Sequence, residues 1–82
     1  MSITIYITHT DPWSSKLRTW LRRRRIKFEE WDVAEPQNKQ ARDDLLNKSN
    51  QLAVPMTDFN GEIVIGFDEK KLEKLVAASK GK

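Results

Sequence analysis

Ile3-Thr4-Ile5-Tyr6-Ile7-Thr8-His9-Thr10-Asp11-Pro12-Trp13-Ser14 decides the fold of this 82-residue chain. Ile3, Ile5 and Ile7 alternate with Thr4, Tyr6 and Thr8, which places strand-forming side chains on both faces, as a strand inside a sheet requires. Thr10 closes the strand. Asp11 offers an oxygen to backbone N–H groups as a helix N-cap, and Pro12 suits the first helical position, where its fixed φ is helical and no N–H is missed. Trp13, Leu17, Trp20 and Leu21 then recur at i, i+4, i+7 and i+8, predicting one apolar stripe over two helical turns. A strand thus feeds directly into a capped helix.

Further along, Lys27 to Val33 reads as a short strand through Phe28, Trp31 and Val33, with Glu29-Glu30 interrupting its alternation. Glu35-Pro36 opens a second helix to about Lys48, which has only Ala41, Leu45 and Leu46 to bury and is expected to be exposed and weakly anchored. Ser49-Asn50-Gln51 reads as a loop. Met56 to Phe59 and Ile63 to Ile65 flank Asn60-Gly61, a hairpin signal because both central residues of a type I′ turn need φ > 0. Asp68 is placed to cap a last helix carrying Leu72, Leu75 and Val76. Residues 77–82 are expected to fray. The chain contains no repeat, low-complexity tract or linker, so residues 1–82 are expected to form one domain.

A chain of this length buries about 60 to 65% of its unfolded surface, leaving a modest margin of stability. It contains no cysteine, so neither a disulfide nor a reactive thiol is available. No basic region followed by an apolar run begins the chain, and no apolar stretch approaches membrane length, so a soluble cytoplasmic monomer is expected. One histidine and scattered carboxylates lack the spacing of a metal site. No resident cofactor is expected.

The net charge of +3 is unevenly distributed. Residues 1–27 hold seven Lys/Arg and one acid, whereas residues 28–82 hold eight bases and eleven acids. Arg22, Arg23, Arg24 and Arg25 supply most of that excess. Cations there complement a helix C-terminus, but four in succession wrap a full turn and present no flat face, and no interleaved aromatics could stack bases. An acidic protein partner is therefore favoured over nucleic acid.

The order β-α-β-α-β-β-α at this length resembles the minimal thioredoxin fold, an α/β domain whose four-stranded mixed sheet carries the first and third helices on one face and the second on the other. Three segments make the chain similar to the glutaredoxins, especially the small bacterial glutaredoxin-like redoxins. Thr8-His9-Thr10-Asp11-Pro12-Trp13-Ser14 stands in register with the family's Thr-x-Thr-Cys-Pro-Tyr/Trp-Cys. Ala53-Val54-Pro55 resembles its x-Val-Pro, where the proline follows a cis peptide and faces the active-site turn. Gly66-Phe67-Asp68 resembles its Gly-Phe-Asp. The resemblance covers about residues 3–76.

This resemblance implies glutathione-dependent disulfide reduction, in which the first cysteine attacks as a thiolate and the second resolves the mixed disulfide. Asp11 and Ser14 stand at those positions, and Asp11-Pro12-Trp13-Ser14 is read as a vestigial motif without a catalytic residue. A carboxylate at position 11 holds negative charge against the same N–H groups but exchanges no disulfide. Iron–sulfur carriage as the family performs it needs the same cysteine. His9 beside Ser14 raises a Ser-His hydrolase, yet no third group to orient the histidine is evident, and His9 is read as a surface residue.

By the same resemblance, Trp13, Val54, Pro55, Gly66, Phe67 and Asp68 line a groove for glutathione or a partner. Val54 would pair with the ligand's backbone, and Asp68 would lie near its amine or simply cap the helix. Asp11 is expected to weaken any noncovalent glutathione binding. Two readings follow: a redox-inactive binding module that meets a protein partner at the vestigial site, or a cysteine-free variant of an active glutathione-dependent reductase.

Overall fold

Strand β1, Ile3–Ile7, lies inside a four-stranded sheet of order β2-β1-β3-β4 in a computed structural model that describes residues 2–80. Its neighbours are β2, Glu29–Asp32, in parallel, and β3, Met56–Phe59, antiparallel. The hairpin partner of β3 is β4, Glu62–Ile65. Asn60 and Gly61 join them with φ of 52° and 95°, the pair of positive angles that a type I′ turn needs. Asp58 Oδ1 accepts the Gly61 N–H at 2.8 Å and helps close the turn.

Helices α1, Pro12–Arg23, and α3, Glu69–Lys80, cover one face of the sheet. There Ile3, Ile5 and Ile7 pack with Leu17, Trp20, Leu21, Phe59, Val64, Leu72 and Val76. The opposite face is covered by α2, Lys39–Ser49, through Ala41 and Leu45 against Tyr6, Val33 and Met56. Leu46 remains exposed. The alternation of β1 therefore serves two cores, Ile3, Ile5 and Ile7 on one side and Tyr6 on the other, and the expected α/β thioredoxin-like architecture is observed.

Several boundaries differ from the sequence reading. The second helical segment does begin at Pro36, but its first turn, Pro36–Asn38, is 3-10 rather than α. The tail expected to fray from residue 77 is helical to Lys80, since Leu72 and Val76 anchor α3 on the sheet and propagation adds a hydrogen bond per residue. Residues 81 and 82 lie outside the described residues. The apolar stripe of α1 begins at Ser14 rather than Trp13: Ser14, Leu17, Trp20 and Leu21 are buried while Trp13 is 53% exposed. No helix among the described residues is long and apolar enough to cross a membrane.

The arginine run ends α1 in a Schellman cap. Arg25, at φ 57°, donates its N–H to Arg22 C=O at 3.0 Å, and Ile26 N–H reaches back to Leu21 C=O at 3.1 Å. Ile26 and Leu21 are both in the core, so the hydrophobic contact that accompanies this motif turns the chain toward β2.

Candidate functional site

The turn between β1 and α1 is held by its own side chains. Asp11 caps the helix: its Oδ2 accepts the Ser14 N–H at 2.9 Å and the Ser14 Oγ–H at 3.0 Å. Thr8 N–H donates to Ser14 Oγ at 3.3 Å, and Asp11 N–H donates to Thr8 C=O at 3.2 Å. Ser14 is 1% exposed. Its hydroxyl therefore spends its proton on Asp11 and stitches the strand end to the helix start, an arrangement with no free nucleophile.

His9 departs from the sequence reading. It is exposed, but it is also oriented: Nδ1 lies 2.6 Å from Asp32 Oδ2 and Nε2 3.5 Å from Glu30 Oε2, while its backbone N–H donates to Asp32 Oδ2 at 3.1 Å. The third group thought to be missing is Asp32, which the parallel register sets opposite Ile7. The sequence carried only an acid near the end of the second strand; its burial and its place beside His9 come from the parallel register. No hydrogen bond joins His9 to Ser14 among the described residues, so the carboxylate orients the imidazole without making a Ser-His pair.

Burial alone raises the Asp32 carboxyl, but the N–H groups of Ala34 and His9, and then the His9 imidazole, outweigh it and hold the group below its ordinary 3.8. A carboxyl lowered on folding contributes stability that is present above its unfolded value and lost as pH falls through its folded value. Asp32→Asn should accordingly lower stability at neutral pH and flatten the loss of stability between about pH 5 and pH 2. Parallel acid-denaturation curves for the two proteins would contradict this.

Beyond Asp11, Trp13, Val54, Pro55, Gly66 and Phe67 surround one open groove of about 280 Å³. The Val54–Pro55 peptide is cis. Pro55 C=O accepts the Gly66 N–H at 2.8 Å, and Gly66 has φ 76°, a conformation that disfavours a side chain even where space is open. Neither the N–H nor the C=O of Val54 has a hydrogen-bond partner among the described residues. Asp68 does not line this groove; its Oδ1 accepts the Lys71 N–H at 3.1 Å, capping α3. Among the described residues no cluster of His, Cys, Asp and Glu is arranged to hold a metal.

The arginines are also separated. Arg22 lies 3.9 Å from Glu30, which Arg18 holds at 3.1 Å, whereas Arg24 bonds Glu73 and stacks on Trp20 at 3.8 Å. Arg23 and Arg25 have no acidic partner among the described residues. The run is thus not a single basic patch.

Comparison with known proteins places this geometry in a family. Residues 3–64 match the glutaredoxin family model. An uncharacterized glutaredoxin-like 8.6 kDa protein in the rubredoxin operon of Clostridium pasteurianum is 32% identical over 74 residues, covering 90% of this chain and 96% of that protein. The thioredoxin-like protein BC3987 superposes with a TM-score of 0.82 at 28% identity, over 90% of this chain and 99% of its own. A glutaredoxin from Archaeoglobus fulgidus shares the fold at a TM-score of 0.82 and 22% identity, over 92% of this chain and 85% of its own. With β1, the capped turn, the cis-proline and the hairpin turn all within the matched residues, this cysteine-free chain belongs to the glutaredoxin family.

Proposed function

We propose that this glutaredoxin-family chain is a redox-inactive binding module that takes an extended thiol peptide, or the equivalent segment of a protein partner, without a covalent step. The observation that carries the reading is the Asp11–Ser14 pair. An acid and a hydroxyl bonded to each other fill the helix start and supply no thiolate, while the adjoining groove stays open. Trp13 offers an exposed ring, and Val54 an unpaired N–H and C=O that suit strand-like pairing with a ligand backbone. Asp68 keeps a second oxygen for a ligand amine near the start of α3. The module is proposed to act as a cytoplasmic monomer.

Reduction of small and protein disulfides by glutathione should stay at the uncatalysed rate when this protein is added. Calorimetric titration with glutathione should give a Kd no tighter than millimolar, about −4 kcal/mol, because the Asp11 carboxylate lies beside the groove and no mixed disulfide forms. Turnover by contaminant-free material, or micromolar affinity, would overturn the reading.

A further inference from the structure

A second groove of about 530 Å³ runs between α1 and the start of α3, and it is larger than the one beside Asp11. Phe67 lines both. The Lys16 ammonium, in the second groove, lies 4.2 Å over the ring of Trp13, which walls the first, so the two grooves adjoin at Phe67 and at this stacked pair. Lys16, Thr19, Trp20 and Arg23 make a single ridge along α1 at the i, i+3, i+4 and i+7 positions.

Charge on this ridge is uncommitted. Arg18, Arg22 and Arg24 each have a carboxylate partner, whereas Lys16 and Arg23 have none among the described residues and are exposed. Seven residues of helix separate them by about 10 Å. Three residues of peptide in the polyproline II conformation span nearly the same length, about 9 Å, and return the first and fourth side chains to one face, whereas a β-strand would send them to opposite faces. Lys16 also covers one face of Trp13, a poor arrangement for stacking a base.

We propose that the segment held beside Pro55 continues past Phe67 into this groove, and that it is an extended acidic peptide whose two carboxylates, three residues apart, pair with Lys16 and Arg23. The Thr19 hydroxyl lies between the two cations as a further donor. Glu69, on the α3 side of the groove, opposes such a ligand and limits its affinity. The inference names the partner chemistry of the module proposed above and rests on that reading, but it can fail while that reading stands.

The test is a titration of the 15N-labelled full chain with the acetylated, amidated hexapeptide Val-Gly-Glu-Gly-Gly-Glu and its Gln counterpart. The Glu peptide should bind about tenfold tighter, shift the amides of Lys16, Thr19 and Arg23, and lose this advantage in about 0.5 M salt. Lys16→Gln and Arg23→Gln should each weaken it about threefold, and Glu69→Gln should tighten it about twofold. Equal binding of both peptides, confined to Trp13, Val54 and Gly66, would overturn the inference and leave the binding module intact. Shifts confined to Lys16, Thr19 and Arg23 would overturn both the module's groove and the continuation from Pro55 proposed here. No binding of either peptide would overturn both.

Discussion

Asp11→Cys combined with Ser14→Cys should give this chain glutathione-dependent disulfide reductase activity. A sulfur at position 11 sits one bond nearer the backbone than the oxygen that accepts the Ser14 N–H at 2.9 Å, but it is larger and still faces the first turn of α1, so its thiolate meets the same N–H groups and the same helix-end field. Its pKa should fall below the free value of about 8.5. The cap contributes about 1 kcal/mol, part of which the thiolate retains, so the variant should remain folded. Position 11 is half-buried and position 14 is 1% exposed, which separates their roles. Asp11→Cys alone should form a mixed disulfide with glutathione, and Ser14→Cys alone should form little. Thiolate absorbance against pH and coupled disulfide reduction in all three variants check this. An ordinary pKa at position 11, or an inert double variant, would mean that the turn holds a carboxylate but cannot activate a thiol.

Leu21→Ala should cost about 2 to 5 kcal/mol, against a total of about 4 to 12 for a domain of this size. Leu21 is completely buried beneath α1, and its carbonyl receives the Ile26 N–H that closes the Schellman cap. The cavity therefore opens where helix packing and chain reversal coincide. Urea unfolding should show a lower midpoint with an unchanged slope. Leu46→Ala, on the exposed side of α2, should change stability by less than about 0.5 kcal/mol. Similar losses at the two positions would show that the core is not organised as described.

The architecture was legible wherever a local pattern coincided with a tertiary need. Alternation in β1 matched a strand with partners on both sides, Asp11-Pro12 matched the cap of α1, and Asn60-Gly61 matched the two positive φ angles of the hairpin. Trp13 was misplaced because a helical wheel drawn from sequence has no fixed origin. The small Ser14 takes the buried position, as its hydroxyl is satisfied by Asp11 and Thr8. Asp32 was missed for a different reason: its bond to His9 spans 23 positions and exists only through the parallel register. Of the six residues named from sequence for the groove, five line one surface groove, while Asp68 stands aside as a cap. That the arginines wrap a turn was legible from helical spacing, but not which of them meet Glu30 and Glu73, because those partners lie on other elements.

The pairing of β1 also has a temporal meaning. Ile3 lies opposite Phe59, and Thr4 opposite Asp58, so the central strand meets its antiparallel neighbour only after more than fifty intervening positions have been synthesised. The nearby pairing with β2 leaves the other edge of β1 bare and the Ile3, Ile5 and Ile7 face without Leu72 and Val76. Closing so long a loop costs entropy before any contact repays it. On the ribosome, β1 is thus made first and completed late. During that interval its isoleucines present an unpaired, apolar edge, the kind of surface that chaperones cover and neighbouring nascent chains adhere to.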